Sequence, residues 1–197
     1  ARHGQAEAVR LLLEAGASVG ATNGRGDSAL LVACGKGCLE VARLLRDASA
    51  AINQAAEDST TPLLVACLKG HVDIVRLLLE TGAALDQARN DGTTPLYMAC
   101  QEGHLEIVRL LLEASAAINQ ADEQGATALL IACQQGHLEC ARLLLEAGAA
   151  ISQARNDGLT PLSIACDKGQ IECARLLLEA GAAIDQADED GTTPLSA

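Results

Sequence analysis

A motif that returns at one fixed interval constrains this chain more than any other feature. Thr94-Pro-Leu-Tyr-Met-Ala-Cys-Gln-Glu-Gly-His-Leu-Glu-Ile-Val-Arg-Leu-Leu-Leu-Glu113 repeats Thr61 to Glu80 and is repeated by Thr127 to Glu146 and Thr160 to Glu179. Cys34, Cys67, Cys100, Cys133 and Cys166 fall at one register, and Arg10, Arg43, Arg76, Arg109, Arg142 and Arg175 at another. A unit this small cannot enclose a core, so copies must stack and stabilise one another. Full units are read at 26–58, 59–91, 92–124, 125–157 and 158–190, with partial units at 1–25 and 191–197. Residues 1–197 are therefore expected to form a single array. Because the sequence starts and stops inside a unit, a segment of something longer is also expected.

The helix signals within unit 92–124 are explicit. Thr94 reads as an N-cap with Pro95 at the first helical position. That helix should end at Gly103, since glycine tolerates the left-handed backbone of a C-cap. A second helix is expected from about Leu105 to Glu113. Its polar residues Glu106, Arg109 and Glu113 form one narrow stripe, a solvated face with weak ion pairs. The other positions are apolar, which requires burial on more than one side. Asn90-Asp91-Gly92 and Asn156-Asp157-Gly158 carry turn chemistry and are expected to join two short extended arms. A longer period, twice the first, overlies it: Ala48 to Ala55 recurs as Ala114 to Ala121, and Ala88 to Gly92 as Ala154 to Gly158. The array reads as grown by duplication of paired units.

Composition disfavours several partners. With 26 acidic and 14 basic side chains the net charge is −12, the wrong sign for phosphate contacts with nucleic acid or for an anionic membrane surface. No apolar run approaches the ~20 residues needed to span a bilayer. The eight cysteines do not suggest disulfides between equivalent positions, because stacked helices lie ~8–10 Å apart and a bridge needs Cα atoms within ~7 Å. Reduced thiols in a cytoplasmic or nuclear compartment are the simplest reading.

The turn, Thr-Pro-Leu, Ala-Cys, Gly-His and Leu-Glu-Ile-Val-Arg-Leu-Leu-Leu elements at this period resemble the ankyrin repeat, and the resemblance covers essentially the whole chain. It implies an all-α repeat solenoid of stacked antiparallel helix pairs with β-hairpin or turn fingers projecting to one side. It also implies protein binding through the fingers and the inner helices. One departure stands out. The family commonly has His after Thr-Pro-Leu, and here that place holds Leu31, Leu64, Tyr97, Leu130, Ser163 and Ser196, which calls the family's polar network at that position into question.

By the same resemblance, the partner-binding positions are Asn90, Asp91, Thr93, Tyr97, Gln101 and Glu102 in one unit. Their counterparts are Glu57, Asp58, Lys69, Glu123, Gln124, Gln134, Gln135, Asn156, Asp157, Asp167 and Lys168. Tyr97 is the only aromatic residue in the chain, and because aromatic anchors usually dominate interface energetics, a face with one Tyr predicts modest affinity. Acidic and amide-rich fingers point to a protein partner with a basic patch.

Nothing in the sequence assembles a catalytic set. His71, His104 and His137 recur one repeat apart, too far for one metal ion at ~2 Å per bond, and read as junction residues satisfied by nearby backbone. Cys140 and Cys173 sit on apolar helix faces, and Cys38 is read as an inert thiol. The carboxylates lie on repeated turns and stripes, without the sheltered pair that acid–base work needs. No enzyme, cofactor, metal or small-molecule substrate is expected, and a monomer is. An alternative reading makes the segment a regulatory or targeting module of a larger enzyme whose catalytic domain lies elsewhere. A spacer without a dedicated partner is the third.

Overall fold

A computed structural model describes residues 2–196, with side chains from residue 5 onward. Ala1 and Ala197, which close the two partial units, lie outside the described residues. Eleven helices occur among the described residues: α1 (Arg2–Glu14), α2 (Ala29–Gly35), α3 (Leu39–Asp47), α4 (Pro62–Leu68), α5 (Val72–Glu80), α6 (Pro95–Gln101), α7 (Leu105–Glu113), α8 (Ala128–Gln135), α9 (Leu138–Glu146), α10 (Pro161–Asp167) and α11 (Ile171–Glu179). The short helices α2, α4, α6, α8 and α10 pack in file as an inner row. The other helices form an outer row, each against its own inner partner from α3 onward.

Each inner helix is started by the same device. The hydroxyls of Ser28, Thr61, Thr94, Thr127 and Thr160 accept the backbone N–H of Leu31, Leu64, Tyr97, Leu130 and Ser163. Such a cap stabilises a helix by ~1 kcal/mol. Helix α6 closes through Gly103 at φ 70°, and α7 begins just beyond it. Ala66, Ala99, Ala132 and Ala165 are fully buried between inner helices, where a larger side chain would hold the row apart. Leu63, Leu96, Leu129 and Leu162 are 1–2 % exposed and share one core with an equally buried outer row of Leu78, Leu111, Leu144 and Leu177. Each such leucine contributes ~1.5–3 kcal/mol of hydrophobic stabilisation. That core runs the length of the stack.

A row of side chains stitches the outer edge. Oδ1 of Asn53, Asp86 and Asn119 accepts the N–H of Ala84, Ala117 and Ala150, each at 2.8 Å and one repeat away. The eight cysteines are free. Burial pushes the Cys34 thiol up to about 12 and Cys140 up to about 11, so both stay protonated and inert at neutral pH. The neighbouring Cys173 of the following unit, together with burial, raises the pKa of Cys133.

Of the expected β-hairpin or turn fingers, the structure shows turns. No strand forms among the described residues, only an isolated antiparallel bridge between Thr22 and Ser28. Each finger is a tight turn closed by two backbone bonds, such as Arg89 N–H to Thr93 O and Gly92 N–H to Arg89 O, both at 3.0 Å. The arms are too short for a ladder, and their next N–H is used sideways. Asn90, Glu123 and Asn156 donate backbone N–H groups to Asp58, Asp91 and Gln124 of the preceding finger at 3.1, 3.1 and 2.8 Å.

Candidate partner-binding face

The sideways bonds gather most of the expected binding residues into one continuous row. Glu57, Asp58, Asn90, Asp91, Glu123, Gln124 and Asn156 lie along the finger tips, nearly all of them exposed. The amides of Asn90 and Asn156 donate to the backbone carbonyls of Glu57 and Glu123 at 3.4 and 3.0 Å, which fixes the spacing of the row. Lys69, Glu102, Gln135, Asp167 and Lys168 flank it at the ends of the inner helices, with Gln101, Gln134 and Asp157 half-buried. Lys168 pairs with the adjacent Asp167 at 2.8 Å.

Two expected site residues sit elsewhere. Thr93 is 6 % exposed and spends its hydroxyl on Asp91 at 2.6 Å. Tyr97 is 8 % exposed, so it offers no free aromatic surface, and its role as an anchor is corrected to that of a buried residue at the finger base. Burial pushes its phenol up to about 12, with a further push from the neighbouring Asp122 carboxylate. The signal for this was present at its own register: Leu31, Leu64 and Leu130, its equivalents, are core side chains at 0–7 % exposure. At Ser163 the same register completes a capping box with Thr160.

Arg89 and Arg155 escaped the sequence reading and shape the charge of the row. Arg155 Nε lies 2.9 and 3.0 Å from the carboxylate oxygens of Asp157. This bond holds the Asp157 carboxyl below the usual carboxylate range. Arg89 lies 3.5 Å from Asp91 and 3.6 Å from Asp58. Half-exposed pairs of this kind add little stability, but they offset the acidic tips beside them. Glu57 and Glu123 form no ion pair among the described residues.

The recurring histidines address the neighbouring repeat. His71 Nε2 is 3.3 Å from Gly35 O, and His137 Nε2 is 3.1 Å from Gln101 O. In the last unit Gln170 donates to Gln134 O at 3.4 Å. Among the described residues no group of three or more His, Cys, Asp or Glu is placed to hold a metal ion.

A family model described as "Ankyrin repeats (3 copies)" matches residues 1–89, 81–155 and 148–197, together the whole chain. The chain belongs to the ankyrin-repeat family. Among curated proteins none matches. Ankyrin repeats are generally protein–protein interaction modules and typically non-catalytic. No helix among the described residues is long and apolar enough to cross a membrane.

Proposed function

We propose that the array, read as the five full units 26–58 to 158–190 with partial units at each end, is a non-catalytic scaffold or adaptor. It binds a protein through its finger tips and the inner-helix ends beside them. The observation that carries this reading is the finger row, where exposed polar side chains from successive units are tied into a fixed spacing by backbone bonds. A preorganised surface loses little entropy on binding. The partner presents a basic patch: Glu57, Glu102 and Glu123 are exposed carboxylates that form no ion pair among the described residues, and the chain carries −12 overall. Eight free thiols fit a reducing compartment, cytoplasmic or nuclear.

The test compares residues 1–197 with a variant carrying Glu57→Gln, Gln101→Ala, Glu102→Gln, Glu123→Gln and Gln135→Ala as baits. Tyr97 is left intact because its loss would disturb the core. Proteins held by the native form, lost with the variant and weakened by added salt support the reading. Identical retention by the two baits would sink it.

A further inference from the structure

The doubled period of the sequence returns at the finger tips as an alternation of charge. The fingers at 89–91 and 155–157 both read Arg-Asn-Asp, one cation with one carboxylate. Those at 56–58 and 122–124 read Ala-Glu-Asp and Asp-Glu-Gln, two carboxylates and no cation each. Successive fingers are therefore acidic and neutral by turns.

Hydrogen bonding sharpens this alternation. The Asn90 amide is occupied at both ends, accepting the Ser59 hydroxyl at 2.6 Å and donating to Glu57 O at 3.4 Å. Asn156 donates likewise to Glu123 O at 3.0 Å. In the acidic fingers, Asp122 accepts the N–H groups of Gln124 and Ala126 at 2.9 and 2.8 Å. Asp58 accepts that of Thr60 at 3.0 Å and lies 3.6 Å from Arg89. Two carboxylates remain, Glu57 and Glu123. Both are exposed, they hold the same register two units apart, and neither forms an ion pair among the described residues.

The stack fixes the distance between them. Both lie on fingers bonded to a neighbour on each side: Glu57 N–H to Arg25 O and Asn90 N–H to Asp58 O about the first, Glu123 N–H to Asp91 O and Asn156 N–H to Gln124 O about the second. Successive units follow at the ~8–10 Å of packed helices, which puts the two carboxylates ~16–20 Å apart. They cannot close on one cation. An exposed carboxylate alone attracts a cation weakly, but two held at a set separation act together on a ligand whose cations match it.

We propose that the finger row recognises a bipartite basic segment of a protein, with two cationic groups ~16–20 Å apart. One group meets Glu57, the other meets Glu123, and the neutral finger at Asn90 between them is passed over. This rests on the reading of the finger row as the face that takes a basic partner, and adds to it the spacing that the partner must have.

End-capped peptides with one lysine at each end of a polyproline spacer serve as rulers, because polyproline II rises ~3.1 Å per residue and about five prolines set the lysines ~19 Å apart. Binding to residues 1–197 at low salt is followed by NMR titration of the Glu57 and Glu123 amides. The peptide with about five prolines should move both signals together and bind ~10-fold tighter than a one-lysine peptide. Spacers of about one and about twelve prolines, which set the lysines ~6 and ~40 Å apart, should lose that gain. Glu57→Gln or Glu123→Gln alone should bring the matched peptide down to the one-lysine level. Glu113→Gln makes the same change in net charge at an exposed site on the outer stripe and should leave the affinity as it was. Equal affinity at every spacer length, with Glu57 and Glu123 still responding, overturns the bipartite reading and leaves a basic partner without a set spacing. Absence of binding by every peptide, or an equal loss in Glu113→Gln, overturns the finger row as a basic-partner site and this proposal with it.

Discussion

The imidazole of His137 lies over Gly103 of the preceding repeat, with its Nε2 3.1 Å from the carbonyl oxygen of Gln101. A Cβ at Gly103 would come within 2.6 Å of that ring, and the glycine itself is at φ 70°. The Gly-His pair of the motif is thus one contact between units: the glycine of one repeat is kept bare by the histidine of the next.

Gly103→Ala should therefore destabilise the array by about 1–3 kcal/mol, the cost of an L residue in the left-handed region with a displaced ring. Urea unfolding monitored by circular dichroism checks this. Full stability in the variant would mean that the ring moves aside without cost.

Ser115 occupies the same left-handed backbone at φ 69°, where Gly82 and Gly148 stand at 81° and 90° in the adjacent units. Ser115→Gly relieves a cost of ~1–2 kcal/mol, partly offset by the ~0.5–1 kcal/mol of chain entropy that glycine loses. The net expectation is a small rise in stability, read as a higher thermal midpoint. A fall would show that the serine is not strained.

Tyr97 is the only aromatic residue, so near-ultraviolet tyrosinate absorbance reports it alone. In the folded protein the midpoint should lie near about 12, and in denaturant near ~10. A pKa raised by folding contributes stability that is complete below ~10 and is lost as pH climbs to the folded value. The buried thiols of Cys34 and Cys140 shift in the same direction and start the alkaline loss earlier, near their ordinary ~8.5. An identical phenol midpoint in folded and unfolded protein would contradict the burial of Tyr97.

Arg155→Gln removes the guanidinium that holds Asp157 below the carboxylate range, so the Asp157 carboxyl should return toward ~3.9 in an NMR titration. A depressed carboxyl contributes stability present above its unfolded pKa and lost as pH falls through the folded one. The variant should lose that acid-side dependence. At neutral pH its stability should change by no more than ~1 kcal/mol, because the pair is part-exposed.

How far the sequence could be read depends on whether a feature is local. Thr94 as a cap, Pro95 inside the first turn, Gly103 as the stop and Leu105–Glu113 as the second helix all occur in the structure as expected, because hydroxyl caps, proline and left-handed glycine act within one turn of backbone. The buried tyrosine was legible only by comparison with its leucine equivalents. The stripe of Glu106, Arg109 and Glu113 suggested pairs within one helix, yet Glu106 reaches Arg76 of the unit before.

The sequence by itself determined the unit, its helices and the need to stack, since apolar helices in so short a period have no other way to bury themselves. Only the tertiary structure decided which atoms of one unit meet which atoms of the next. The period makes positions one repeat apart equivalent, but contacts fall at other offsets. His137 meets Gln101 at an offset of 36, and Asn119 meets Ala150 at 31. Those offsets come from how far each unit is shifted and turned on its neighbour. That geometry is set by close packing around buried alanines and leucines along the whole stack.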